Sequence, residues 1–158
     1  MAKPSRSLDR VQNALEEHGL EVELQSFPDS TRTAEDAARA VGCEVAQIAK
    51  SLVFRSAGSL EQLLIVVSGA NRVDLGKVGE QLGERLEMAD AKSVRERTGF
   101  AVGGVPPLGH DDSLKIYLDR DLLGFELIWA AAGRPDAVFA VAPQELLRVT
   151  RAQVIDVR

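Results

Sequence analysis

The chain has 158 residues, with 19 Lys and Arg against 24 Asp and Glu, a formal net charge of −5; 45% of residues are hydrophobic and 27% charged. That is the size of one ordinary domain, residues 1–158, with a globular composition, and it excludes a chain-wide basic surface for DNA or RNA while leaving local patches open. A single cysteine, Cys43, and two histidines, His18 and His110, exclude an internal disulfide, a multi-thiolate zinc site and a His-rich metal centre, and 4% aromatics leave few platforms for base stacking.

The polar start MAKPSRS has no apolar stretch behind it, so no targeting signal is expected. Leu8, Val11 and Leu15 then recur at helical spacing, with Ser7 as cap and Gly19 as stop. Residues 21–27 alternate as a short strand, stopped by Pro28-Asp29-Ser30. Thr33 opens an Ala-rich helix that ends at Gly42, and a second short helix is expected over 44–49. Residues 51–54 and 62–67 are apolar and β-rich around Gly58-Ser59, which predicts a hairpin whose strands are covered on both faces. The longest aliphatic run, 63–67, is far short of the roughly 20 residues a membrane span needs, so the expected address is cytoplasmic, with no membrane partner. Asp74 opens a helix to about Leu82 or Gly83, and Asp90 opens another over 91–98, closed by Gly99. A Gly/Pro segment fills 100–108. Strands are expected over 114–118, 125–130 and 137–141, a last helix after Pro143 over 144–147, and an edge strand over 154–157. About seven short strands and five helices, with strands more often in hairpins than in βαβ units, predict an α+β fold with a mixed, partly antiparallel sheet. Strands this short are compatible with barrel-like closure.

Few residues suggest chemistry. Lys50 lies between Ile48-Ala49 and Leu52-Val-Phe54, at a predicted helix-to-strand junction. An apolar setting disfavours its ammonium, a bound anion favours it, and such a lysine can bind phosphate or polarise an ester carbonyl. The plainer reading is a lysine reaching solvent from a strand end. The Val102-Gly103-Gly104-Val105-Pro106-Pro107-Leu108-Gly109 loop lets backbone N–H groups approach a ligand closely, although it matches neither dinucleotide nor phosphate-loop spacing and also fits a structural turn. His110-Asp111-Asp112 reads as a solvated loop, because adjacent extended residues point to opposite faces. Cys43 has no basic neighbour in sequence, and a nucleophile there is disfavoured. Basic residues cluster modestly: Lys92, Arg95 and Arg97 share a helix, while Arg32, Arg72, Lys77, Lys115 and Arg134 lie near loops or element ends.

In order along the chain, Thr33-Ala-Glu-Asp-Ala-Ala38, Ile48-Ala-Lys-Ser-Leu-Val-Phe54, Val66-Val-Ser-Gly-Ala-Asn-Arg-Val-Asp74 and Thr98-Gly-Phe-Ala-Val-Gly-Gly-Val-Pro-Pro-Leu-Gly109 resemble the YbaK/ProX-type aminoacyl-tRNA editing domains, as do Trp129-Ala-Ala-Ala-Gly133 and Ala142-Pro-Gln-Glu-Leu146. The resemblance spans about residues 6–154. It implies a barrel-like mixed sheet surrounded by helices, and a trans-acting hydrolase for the ester of mischarged tRNA, usually tRNA for proline. It implies Lys50 as catalytic residue, and a substrate pocket formed by Thr33, Ser51, Ser68, Gly103, Gly104, Val105, Pro106 and Gly133. It implies no metal and no organic cofactor. Assistance from the ribose 2′-hydroxyl, as proposed for such domains, would account for the missing serine, cysteine or histidine nucleophile. The implied partners are the 3′ CCA end of a mischarged aminoacyl-tRNA and a prolyl-tRNA synthetase, not DNA. Ser51 follows the lysine where alanine-editing members have asparagine, and Ala130-Ala-Ala-Gly133 lacks their late histidine. Cysteine, serine, threonine or 2-aminobutyrate are therefore the expected cargoes rather than alanine. A non-catalytic tRNA- or synthetase-binding module and a small-molecule binding domain are the alternatives.

Overall fold

The fold is built on the predicted hairpin. In the computed structural model, which describes residues 6–20, 22, 24–27 and 33–158, strand β2 (Ile48–Ser56) pairs antiparallel with β3 (Gln62–Ser68), Lys50 opposite Val67 and Phe54 opposite Leu63. The unbroken apolar run of β3 has a simple cause. Leu64 and Val66 point into the main core with Val11, Leu15, Phe100 and Phe139, while Leu63, Ile65 and Val67 point into a second core with Val78, Tyr117 and Ile155.

Around this pair the chain adds β1 (Leu24–Ser26), β4 (Leu86–Met88), β5 (Lys115–Asp119), β6 (Ile128–Ala131), β7 (Ala137–Val141) and β8 (Gln153–Ile155). Among the described residues the sheet has eight strands and runs β1-β7-β6-β2-β3-β5-β8, with β4 paired to β2 outside that path. Contacts of β6 with β2, β3 with β5 and β5 with β8 are parallel and the others antiparallel, which is the mixed α+β sheet expected. The sheet is open: among the described residues, its end strands β1 and β8 do not pair with each other.

Among the described residues five α-helices surround it: α1 (Arg6–Glu17), α2 (Ala34–Val41), α3 (Leu75–Leu82), α4 (Ala91–Thr98) and α5 (Pro143–Thr150). Their ends follow local chemistry. Thr33, Asp74 and Asp90 each accept a hydrogen bond from the backbone N–H three residues on, and Gly42, Gly83 and Gly99 close the helices in the left-handed conformation. Ser7 lies inside α1 rather than capping it. The helix expected over 44–49 is only a 3-10 turn, Val45–Gln47, because Ile48 and Ala49 are drawn into parallel pairing with Trp129 and Ala130 of β6. The strand expected over 125–130 begins at Ile128, after an unforeseen 3-10 turn over Arg120–Gly124 that Asp119 caps. Pro28, Asp29, Ser30 and Arg32, with the acids at 21 and 23, lie outside the described residues.

One irregularity prepares the site. Strands β6 and β4 both pair with the same edge of β2, β6 at Ile48 and Ala49 and β4 at residues 54–56. Between them, among the described residues, β2 has no partner strand on that edge over residues 50–53. The N–H of Ala89, bonded to the carbonyl of Val53 at 3.3 Å, closes the far end of this fork.

Candidate functional site

A cleft of about 300 Å³ opens at the fork. Residues from α2, β2, the end of β4, the 102–105 loop, β6 and β7 line it, and most are apolar, Ala37, Ala49, Val94, Val105, Ala130 and Val138 among them. Lys50 is its sole charged lining residue among the described residues.

Strand alternation determines what β2 offers the cleft. The carbonyl of Ile48 and the N–H of Ser56 bond toward β3, whereas the carbonyl of Val53 and the N–H of Ala57 bond toward β4. Odd-numbered backbone groups thus face the fork, and the N–H and C=O of Ser51 point into the unpaired interval. The Ser51 side chain shares a face with Ala49 and Val53, and its buried hydroxyl has no hydrogen-bond partner among the described residues. A buried hydroxyl without a partner costs free energy that a ligand group can recover. Lys50, on the other face of the strand, donates from its ammonium to the Asn71 carbonyl at 3.3 Å.

The glycine-rich loop closes the opposite wall. Gly103, with φ +90°, and Val105 line the cleft, as does Val102, which is 57% exposed. Gly104 does not line it: its N–H bonds to the Ala101 carbonyl, and a Cβ there would lie 2.8 Å from the Arg134 Cα. Gly104 is a packing glycine, and of the amides of residues 103–105 only those of Gly103 and Val105 are free of backbone partners among the described residues. Pro106 is buried outside the cleft, its carbonyl accepting from His110 Nε2 at 2.8 Å. Gly133, with φ +100°, packs against the Ser7 carbonyl instead.

Of the other expected site residues, Thr33 lines the cleft while its hydroxyl accepts from the Asp36 N–H. Ser68 does not reach it: the residue is 1% exposed and its hydroxyl donates to the Ala46 carbonyl at 2.7 Å. The structure thus brings Thr33, Lys50, Ser51, Gly103 and Val105 together, and leaves Ser68, Gly104, Pro106 and Gly133 as supports behind them. Sequence reasoning missed the Met88, Ala89 and Trp129 walls, because β4 carries no periodic signal and Trp129 reads simply as a strand residue.

No side chain in the cleft is an evident nucleophile. The Cys43 thiol donates to the Glu44 carbonyl, and burial, then the Glu44 carboxylate, pushes its pKa up, the wrong direction for a thiolate. Asp111 pairs with Arg97 and Ser113, which hold its carboxyl far below the usual range. Among the described residues, no three His, Cys, Asp or Glu side chains gather as metal ligands would. No helix among them is long and apolar enough to cross a membrane.

A family model described as an aminoacyl-tRNA editing domain matches residues 28–149. The uncharacterized protein YwhH of Bacillus subtilis is 33% identical over 152 residues, 96% of this chain and 96% of that one. A protein of Enterococcus faecalis named "Putative Cys-tRNA(Pro)/Cys-tRNA(Cys) deacylase EbsC" is 24% identical over 158 residues, 98% of this chain and 96% of its own. A crystal structure of a "putative trans-editing enzyme for prolyl tRNA synthetase" superposes with a TM-score of 0.91 at 51% identity, over 99% of both chains.

Proposed function

The chain belongs to the aminoacyl-tRNA editing domain family, and from that premise we propose that it is a trans-acting deacylase for mischarged tRNA, its whole length acting as one editing domain. The expected substrate is tRNA for proline carrying cysteine, serine, threonine or 2-aminobutyrate. The names of its relatives, one "Putative Cys-tRNA(Pro)/Cys-tRNA(Cys) deacylase EbsC" and one a "putative trans-editing enzyme for prolyl tRNA synthetase", support that choice.

The observation that carries the reading is the fork in β2. It creates a small apolar cleft whose polar groups are concentrated at Lys50 and Ser51. A volume of about 300 Å³ suits a small aminoacyl group better than a large one. In the proposed reaction the aminoacyl side chain enters among Ala37, Val105, Ala130 and Val138. The Ser51 carbonyl and hydroxyl take its ammonium or a side-chain hydrogen-bonding group. Lys50 holds the terminal adenosine phosphate or the developing oxyanion, with the N–H groups of Gly103 and Val105 beside it. Water adds to the ester carbonyl, the acyl–oxygen bond breaks, and the ribose hydroxyl leaves with the proton the water gives up. An aminoacyl ester is already activated, so placement and oxyanion support supply most of what is needed.

The test is deacylation of proline tRNA charged with alanine, cysteine, serine, threonine or 2-aminobutyrate, with prolyl-tRNA as control. Hydrolysis of one or two mischarged species is expected. Lys50→Ala should lower kcat/KM by about a hundredfold or more while the melting temperature holds. Full activity in a folded Lys50→Ala protein overturns the role of the lysine. No hydrolysis of any species, with or without synthetase, overturns the enzyme reading in favour of a binding module.

A further inference from the structure

Asp119 is 1% exposed, and among the described residues it pairs with no cation. Three N–H donors compensate it instead. Its Oδ2 accepts from the Ser68 backbone at 3.0 Å and from Asn71 Nδ2 at 2.8 Å, and its Oδ1 accepts from the Asp121 backbone at 2.9 Å. A buried carboxylate so satisfied fixes the groups that donate to it, because losing any one bond leaves charge uncompensated in a poorly polarisable interior.

Those groups define one turn, residues 68–71, after β3. The Asn71 N–H bonds back to the Ser68 carbonyl at 2.9 Å, and the Gly69 N–H to the Ile48 carbonyl at 2.7 Å. The Ser68 hydroxyl reaches the Ala46 carbonyl. Gly69 packs so tightly that a Cβ would lie 2.5 Å from the Val45 carbonyl oxygen. The Asn71 amide also bonds Asp121 Oδ2 at 2.8 Å, and Arg158 Nε reaches that same oxygen at 2.9 Å. The output of this bracing is the backbone carbonyl of Asn71, which accepts from the Lys50 ammonium.

We propose that Asn71 and Asp119 are positioning residues: the buried carboxylate fixes the Asn71 side-chain amide and with it the turn, and the Asn71 backbone carbonyl, so placed, holds the Lys50 ammonium in one position beside the cleft that this lysine lines. A lysine has a long, flexible stem and three rotatable donors, and needs an external acceptor to hold one geometry. Within the deacylase reading, on which the kinetic part of this inference rests, Asp119 and Asn71 act only through Lys50 and touch no substrate.

The experiment uses Asn71→Ala, Asp119→Asn and Lys50→Ala, singly and in the pairs that include Lys50→Ala. Its first readout is the ammonium signal of Lys50 in 15N-lysine-labelled protein, assigned by its loss in Lys50→Ala. A hydrogen-bonded ammonium exchanges slowly with water and stays visible, so the wild type should show the signal and folded Asn71→Ala should lose or shift it. The second readout is a double-mutant cycle in deacylation. Asn71→Ala should cut kcat by roughly a hundredfold with KM little changed, and adding Lys50→Ala should cost almost nothing more. An unchanged Lys50 signal, or losses that multiply, overturns the proposal. So does a fall in melting temperature with kcat intact, which would mark a merely structural network. If Asp119→Asn does not fold, the half-buried Asn71 variant decides. A wild type inactive on every substrate refutes the deacylase reading, and the ammonium signal still decides whether the Asn71 side chain, by bracing its own backbone carbonyl, fixes Lys50.

Discussion

Single residues here do one of two jobs, and burial sorts them. His110 is a supporting residue: its Nε2–H donates to the Pro106 carbonyl, its ring meets Phe100 edge-on at 5.6 Å, and its buried Nδ1 has no partner among the described residues. Burial, opposed by the bond to Pro106, holds its pKa below the ordinary 6.5, and the neighbouring Arg10 and Arg97 push the same way against Asp111. As pH falls through about 6.5, the unfolded chain therefore takes up a proton that the folded chain refuses. The stability His110 contributes is present above that pH and is lost between it and the lower folded value. The melting temperature should rise from about pH 5 to pH 7 in wild type and flatten there in His110→Gln. The acid limb, below about pH 4, should survive that change, because the depressed carboxyls of Asp111, Asp136, Asp90 and Asp156 lose their stabilising partners only there. An identical pH curve in the variant would rule out this role. At this scale the sequence was partly legible. Lys50 and Ser51 stand out by motif, whereas Ser68 and Gly104 look the same in a motif whether they face a ligand or a neighbouring backbone.

Elements were legible where their signals are local. The caps at Thr33, Asp74 and Asp90 and the stops at Gly42, Gly83 and Gly99 mark three helices without reference to the rest of the chain. Strand β4 was not legible, since three residues have no period and exist as a strand only by pairing with residues 54–56 of β2. The fork that makes the cleft was hidden for the same reason: it depends on β4 and β6 meeting one edge of β2 from distant parts of the chain. The glycine-rich loop shows the same dependence. Arg10 of α1 stacks over Phe100 at 4.4 Å and donates to the carbonyls of Thr98 and Gly109, so one guanidinium grips both ends of the loop. Gly104 fixes its middle. A methyl there would meet the Arg134 Cα at 2.8 Å and the Arg134 N and Gly133 O at 3.0 Å, all backbone atoms that cannot rotate away. Gly104→Ala should therefore cost about 1–3 kcal/mol and lower the melting temperature by several degrees, at about 2–4 °C per kcal/mol for a domain this size. It should also displace Gly103 and Val105 and reduce deacylation beyond the loss of folded protein. Gly124→Ala, with nothing within 4 Å and no positive φ, is the neutral control. Equal melting temperatures for the two variants would show that the loop yields freely.

At the scale of the molecule, a net charge of −5 and a polyanionic substrate have to be reconciled. Counterion release scales with the phosphates a protein neutralises, so an acidic domain gains little from a long tRNA contact and most from a few local ones. Several arginines are unavailable for that purpose: Arg55, Arg97, Arg134 and Arg148 are paired with Glu87, Asp111, Asp136 and Glu145. Arg72 and Arg120 differ. Both are exposed, neither has an ion-pair partner among the described residues, and they adjoin in sequence Asn71 and Asp119, the residues that brace Lys50. The two segments that brace the lysine thus each carry an exposed guanidinium with no ion-pair partner among the described residues, set among the carboxylates of Asp74, Asp119 and Asp121, and available to a phosphate. Replacing Arg72 and Arg120 together by alanine should raise KM for aminoacyl-tRNA, leave kcat nearly unchanged and reduce the slope of log kcat/KM against log salt by up to about two. A shallow slope in the wild type would confine recognition to the 3′ end of the tRNA. A steep slope that the double variant leaves intact would place the main phosphate contacts elsewhere on the chain. Stimulation by added prolyl-tRNA synthetase, with little salt dependence, would mean that the synthetase presents the tRNA and the domain binds only its end.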